Sequence, residues 1–269
     1  MRVQSNRSIR VGFFYYVGSM DVQRYLSRIK FEGPLSNDLV TLKRLHRQHL
    51  LHVPFEDLDI HYRRPFDLQP GNIFNKIVIR NRGGFCYEVN SLFSDLLDAA
   101  GFKTKIISAR VINDAGEPGP EHDHLAIIIL LEKNYIADVG FGDLFIEPLE
   151  MTQDTQFDGR NFFKIEKTGD EYAVLMSVDA RAFEKKYTFT TTEVPLSVFE
   201  EPCRYKQTNP NSHFVKNTIC TKITDTGRIT IYNDKFIETI GDKKIQRTIS
   251  GDDELRELLR TRFQIDPTA

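Results

Sequence analysis

Three cysteines in 269 residues, Cys86, Cys203 and Cys220, are too few and too unevenly spaced for a disulfide framework or a zinc pattern. Their scarcity suits a reducing, cytoplasmic compartment, where a thiolate stays usable. Excess positive charge is missing too. The 36 Lys and Arg stand against 38 Asp and Glu, for a net charge of −2, which argues against nucleic acid as the main partner. No apolar run approaches the roughly 20 residues that span a bilayer, so no membrane partner is expected. The run VGFFYYV behind Arg2, Arg7 and Arg10 is too short and too rich in Tyr for a signal peptide, and residues 1–19 are expected to be a flexible extension ahead of Met20. There is no GxxxxGK[ST] phosphate loop, internal repeat or low-complexity linker. His46, His49 and His52 stand three apart, whereas helical zinc pairs stand four apart, and no acid or cysteine is spaced to complete a set. No metal is expected, and these histidines are placed at the surface and core edge of a helix.

What is present centres on Arg80 to Leu97, RNRGGFCYEVNSLFSDLL. Val89, Leu92, Phe93, Leu96, Leu97 and Ala100 share one helical face, Gly101 follows as a stop, and the helix therefore begins near Cys86. A helix N-terminus favours an anion, so a cysteine there tends towards thiolate. Gly83 and Gly84 are expected to let the backbone turn tightly and pass close to a substrate carbonyl.

Ahead of this stretch, Val22, Tyr25, Leu26 and Ile29 mark a first helix ending at Gly33-Pro34, and Ser36 is the candidate N-cap of a second whose apolar stripe carries Leu39, Leu42 and Leu45 and can extend to His46 and His49. HVPFEDLDI (His52 to Ile60) puts three acids among apolar residues, and Glu56 is expected to pair with Arg82 beside the cysteine. After it the period changes to two. KTKIISARVI, HLAIIILL, YIADV, FFKIEK, EYAVLMSV, KYTFT, TICTKI, RITIYNDKFIETI and KIQRTI read as strands, and Asp252 to Phe263 as a closing helix. The order implies an α+β fold.

A thiolate nucleophile needs a base, and the base an orienting group. His124 opens one strand of a hairpin and Asp138 lies near the end of the next, with matching parity and so on one sheet face. A tight turn at Glu132 to Asn134 would set Asp138 opposite Ile128, roughly 13 Å along the strand from His124. The turn must lie earlier, near Leu131, or a bulge must shift the register. His122 is the rival base.

RGGFCYEVN, HVPFEDLDI, ARV (Ala109 to Val111), the HL at His124 and DVGFG (Asp138 to Gly142) resemble the arylamine N-acetyltransferases from about Met20 onward. The resemblance implies an N-terminal helical bundle (20–104), a central antiparallel β-barrel (105–206) and a C-terminal α/β lid (207–269), on a core like that of cysteine proteases and transglutaminases. It implies a catalytic triad of Cys86, His124 and Asp138, acetyl-CoA as co-substrate without a metal, and an aromatic amine or hydrazine acceptor, in cytoplasmic xenobiotic metabolism. By similarity Phe55 and Phe141 are acceptor walls, Thr208 and Ser212 coenzyme contacts, and Glu56, Arg82, Gly83 and Gly84 structural neighbours of the site. Oligomeric state stays open. Three features depart from the family pattern: Asp57 where Asn is usual, the extension before Met20, and a His124–Asp138 spacing one residue shorter, which keeps His122 in contention. An amide hydrolase of the transglutaminase or papain type, and a non-catalytic CoA or acyl binder, are the alternatives.

Overall fold

The computed structural model describes residues 16–17 and 20–266. Of the expected extension, only β1 (Tyr16–Val17) falls among the described residues, paired antiparallel with β2 (Met20–Asp21). Asp21 then caps α1 (Val22–Arg28) by accepting the Arg24 N–H, and the helix buries Val22, Tyr25 and Leu26 as the periodicity predicts. The cap of α2 (Leu39–His52) is Asp38, whose carboxylate accepts the Thr41 N–H at 2.8 Å. Ser36, the expected cap, instead donates its hydroxyl to Asp38. Val53 is extended ahead of Pro54, which stops α2. There follow β3 (Phe55–Glu56), α3 (Leu58–His61) and α4 (Pro70–Phe74), the last running into a π-type turn over Asn75–Ile79. α5 (Cys86–Ala99) starts at the cysteine and stops at Ala100, with Gly101 at φ 87°.

The barrel is built from β4 (Lys103–Val111), β5 (His124–Leu130), β6 (Asn134–Ala137), β7 (Leu149–Glu150), β8 (Gln156–Phe157), β9 (Phe162–Thr168), β10 (Glu171–Ser177) and β11 (Glu184–Glu193). These eight strands pair antiparallel in the order β7-β6-β5-β4-β11-β10-β9-β8. The end strands are neighbours in the chain, and the Ile165 N–H bonds the Thr152 carbonyl at 3.0 Å, which nearly closes the sheet. On β5, Ala126 and Ile128 point into the barrel core, while Leu125, Ile127 and Ile129 pack with α5 residues in the helical core. Burial on both faces is why this strand reads as an unbroken apolar run.

A 3₁₀ turn at Leu196–Phe199 leads to α6 (Glu200–Thr208) and α7 (His213–Lys216). Then come β12 (Ile219–Thr224), β13 (Gly227–Tyr232), β14 (Lys235–Ile240) and β15 (Lys243–Thr248). RITIYNDKFIETI is two strands rather than one, because Asn233 takes φ 54° and turns the chain. The sheet order β15-β14-β13-β12-β3 brings in β3 as a fifth strand, pairing Cys220 with Glu56 and Thr221 with Phe55. α8 (Asp252–Leu258) and a π-type turn (Leu259–Phe263) cover the sheet through Leu258, Leu259 and Phe263. The architecture is α+β: helices, a nearly closed antiparallel barrel, and a C-terminal sheet with helices. Among the described residues no helix is long and apolar enough to cross a membrane.

Candidate active site

Cys86 is the first residue of α5, and Phe85 before it is extended, its N–H held by the Glu88 carboxylate at 2.8 Å. The chain reaches this point through Gly83, where a Cβ would lie 2.4 Å from the Pro54 carbonyl oxygen and 2.6 Å from Glu56 Cγ. Gly84 makes a parallel bridge to Phe55. Gly83 thus permits a close approach to the PFE segment, which places the acids of HVPFEDLDI behind the cysteine. Arg82 meets Glu56 at 2.7 Å, as the sequence predicts, and also Asp59 at 3.0 Å. Lys76, from the π-type turn, bonds Asp59 and Glu88 at 2.8 Å each.

Across the helix, β5 and β6 pair Ile127 with Ala137 and Leu130 with Asn134, so the turn lies at Leu131–Lys133. Of the two registers left open, this is the earlier turn without a bulge. It carries Asp138 to the level of Ala126 and within reach of His124, whose Nε2 lies 2.7 Å from Asp138 Oδ2. With Nε2 engaged, Nδ1 is the nitrogen left for a thiol. His122 takes φ 59°, packs its ring on Phe199 at 5.7 Å and offers its carbonyl to the Tyr87 hydroxyl. His124, not His122, lines the central cavity.

Asp138 is held from three further sides. Asn90 Nδ2 donates to its Oδ1 at 2.9 Å, the Gly140 N–H donates to the same oxygen at 2.9 Å, and its own N–H donates to His46 Nε2 at 3.2 Å. His46 in turn gives Nδ1–H to the Ile146 carbonyl at 3.1 Å, and burial pushes its ring down to about 4, so it stays neutral. His46 and His49 are fully buried, on the apolar stripe of α2 and not at its surface; His49 is bonded to the Tyr25 hydroxyl at 2.7 Å. Sequence reasoning missed Asn90 and His46 as supports of the aspartate. Asn90 carried a signal, since it lies one helical turn beyond Cys86; His46 carried none.

The cavity measures about 370 Å³ and is lined by Cys86, His124, Phe55, Phe141, Lys206 and Arg228 among others. Phe141 presents its ring edge-on to His124 at 5.5 Å. The DVGFG loop comes this close because a Cβ on Gly140 would lie 2.9 Å from the Cys86 Cα. Thr208 and Ser212 lie outside this lining. The Thr208 hydroxyl donates to the Arg204 carbonyl, and that of Ser212 to the Lys206 carbonyl while capping α7. The next two residues, His213 and Phe214, do line the cavity. Burial pushes the Cys86 thiol well up, with Lys206 pulling in the opposite direction.

The comparisons with known proteins agree with this geometry. The family model described as N-acetyltransferase matches residues 38–268. The arylamine N-acetyltransferase of Mycolicibacterium smegmatis is 33% identical over 221 residues, covering 78% of this chain and 79% of its own length. A solved arylamine N-acetyltransferase from M. smegmatis superposes with a TM-score of 0.85 at 28% identity, over 92% of this chain and 93% of that one. The Mycobacterium marinum enzyme, solved in complex with CoA, shares the fold with a TM-score of 0.84 at 24% identity, over 91% of this chain and 93% of that one. The chain belongs to the arylamine N-acetyltransferase family.

Proposed function

We propose that this enzyme moves an acetyl group from acetyl-CoA to an aromatic amine or hydrazine in two half-reactions through Cys86. In the first, the Cys86 sulfur attacks the thioester carbonyl as its proton passes to His124 Nδ1, and CoA leaves with a proton, giving acetyl-Cys86. In the second, the amine nitrogen attacks that carbonyl, His124 takes the amine proton, and Cys86 returns as a thiol. Asp138 holds the ring through Nε2 and stabilises the imidazolium. The N–H groups of Cys86 and Tyr87 at the start of α5 precede the first available helical acceptor and would meet the developing oxyanion.

The observation that carries this reading is the His124–Asp138 bond of 2.7 Å on the wall of the cavity that Cys86 lines. Phe55 and Phe141 both line this cavity and are assigned as the walls for the acceptor ring. The coenzyme is assigned to the α6–α7 segment bounded by Thr208 and Ser212, rather than to their hydroxyls, which are already engaged. Three unpaired cysteines among the described residues support a reducing, cytoplasmic setting.

The test is intact-mass spectrometry of the protein with acetyl-CoA and no amine. One acetyl adduct is expected on the wild type, none on Cys86→Ala, and adding an aromatic amine discharges it. Steady release of CoA with no adduct and no response to amine would point to a hydrolase. CoA binding with neither adduct nor turnover would point to a binder.

A further inference from the structure

Lys206 projects from α6 into the cavity wall, far in sequence from Cys86 and His124. Its ammonium lies 2.7 Å from Asp123 Oδ1 and 5.1 Å from the centre of the Phe214 ring, and its side chain is 14% exposed. A lysine loses rotamer freedom when it is fixed, and here a carboxylate and a ring face do the fixing. Asp123 is the residue before His124, so the ion pair joins α6 to the start of the strand that carries the proposed base.

We propose that Lys206 is a positioning residue for acyl transfer: its ammonium, pinned by Asp123 and Phe214 at the wall of the catalytic cavity, stabilises negative charge on the Cys86 sulfur. This rests on the reading of Cys86 as the nucleophile and deepens it. Cys86 and Lys206 line the same cavity of about 370 Å³, so the ammonium acts on the sulfur across it. The titratable and charged groups that line the cavity with Cys86 or act on it are His124 and Asp123 at the start of β5, Asp138 after β6, Asp143, Cys203 and Lys206 on α6, His213 on α7 and Arg228 on β13. Lys206 and Arg228 carry its standing positive charges, Arg228 paired with Asp143 at 2.9 Å. Lys206 supplies a field that favours transfer of the thiol proton to His124. Among these neighbours Lys206 lowers the thiol's pKa and Asp123 raises it.

The competing account is a mechanical tether between α6 and β5, and the two accounts differ in sign. Removing either partner breaks a tether, so Lys206→Met and Asp123→Asn would then act alike. Under the electrostatic role they oppose each other. Lys206→Met removes the cation, whereas Asp123→Asn removes an anion and leaves the cation unneutralised.

The experiment follows alkylation of Cys86 by iodoacetamide against pH, read by intact mass, with melting curves to confirm folding. Lys206→Met is expected to raise the midpoint by about one pH unit, a roughly tenfold slower reaction near neutrality. Asp123→Asn should lower the midpoint, and Lys206→Arg should stay close to the wild type. Shifts of the same sign in Lys206→Met and Asp123→Asn, or a profile that Lys206→Met leaves unmoved, would overturn the proposal. Alkylation needs no acetyl-CoA, so failure here is distinct from failure of the nucleophile itself, which would appear as an acetyl adduct elsewhere or none.

Discussion

The first turn of α5 meets buried charge on two sides, and the two sides treat it differently. Behind the helix, three carboxylates (Glu56, Asp59, Glu88) and two cations (Lys76, Arg82) bond to one another at 2.7–3.1 Å. In front of it, Cys86 faces a cavity with its charged form disfavoured by burial. Burial pulls Lys76 down as well, but Glu88, Glu56 and Asp59 more than offset this and hold it above its ordinary value. The paired cations stay charged and fix a position, whereas a group whose charge is left uncompensated can change state during a reaction. The network behind sets where Cys86 is; the groups in front set what its sulfur does.

The strongest way to break this comparison is to remove charge from each side in turn. Arg82→Met leaves Glu56 without its cation and is expected to cost about 3–5 kcal/mol in urea unfolding, since a buried charge loses its partner. Cys86→Ala is expected to abolish acetyl transfer yet stay within about 1 kcal/mol of the wild type, because no ion pair depends on it. A small loss in Arg82→Met would mean the network is not what fixes the helix.

Glu56 and Asp57 sharpen the same contrast between adjacent residues. Glu56 has Arg82. Asp57 Oδ1 accepts the Ile219 N–H at 2.7 Å, its Oδ2 has no hydrogen-bond partner, and the nearest basic group is His61 at 3.8 Å. Burial pushes Asp57 up to about 8, with the Glu56 charge adding to the effect and the Ile219 N–H opposing it. Between the ordinary carboxylate range, about 4, and about 8 the folded chain binds a proton that the unfolded chain releases, so wild-type stability falls as pH rises through this window. Asp57→Asn removes that dependence. Its advantage should be near zero at pH 4, grow by about 1.4 kcal/mol per pH unit towards pH 8, and level off above it. Urea midpoints at several pH values measure it, and an advantage that does not grow with pH would refute the account.

How much of this was legible in the sequence follows from the range of each interaction. The cysteine helix was readable because a 3.6-residue period and a glycine turn are local. The Glu56–Arg82 pair was readable because an acid inside an apolar run needs compensation. Parity gave the shared face of His124 and Asp138, but not their level, because moving the turn by one residue shifts the partner by two. The α4 segment, PGNIF, is too short for an apolar stripe and escaped notice. The turn at Asn233 was hidden because apolar alternation continues on both sides of it. Lys206 and Arg228 reach the cavity only once α6 and the C-terminal sheet have docked on the barrel, and no spacing encodes that.

His46 ties the proposed triad to the helical core and carries the smallest expected effect. Its Nε2 accepts the Asp138 N–H, its Nδ1–H is donated to the Ile146 carbonyl, and its ring stacks on Phe145 at 5.7 Å. His46→Phe keeps an aromatic surface but leaves both backbone groups unpaired, which costs about 1–2 kcal/mol. Asp138 then loses one of its supports, and kcat should fall about tenfold with little change in KM, since the acceptor walls are untouched. The pH dependence separates this from a packing defect. Burial holds His46 at about 4, so between that and its ordinary value near 6.5 the unfolded chain binds a proton the folded chain refuses. His46 therefore makes wild-type stability rise with pH across this window and fall as acid is added. The same slope should be shallower in His46→Phe, leaving the share contributed by His49, which burial also holds low. An unchanged slope with lost activity would mean that His46 is charged in the folded protein, and that Asp138 is held by Asn90 and Gly140 alone.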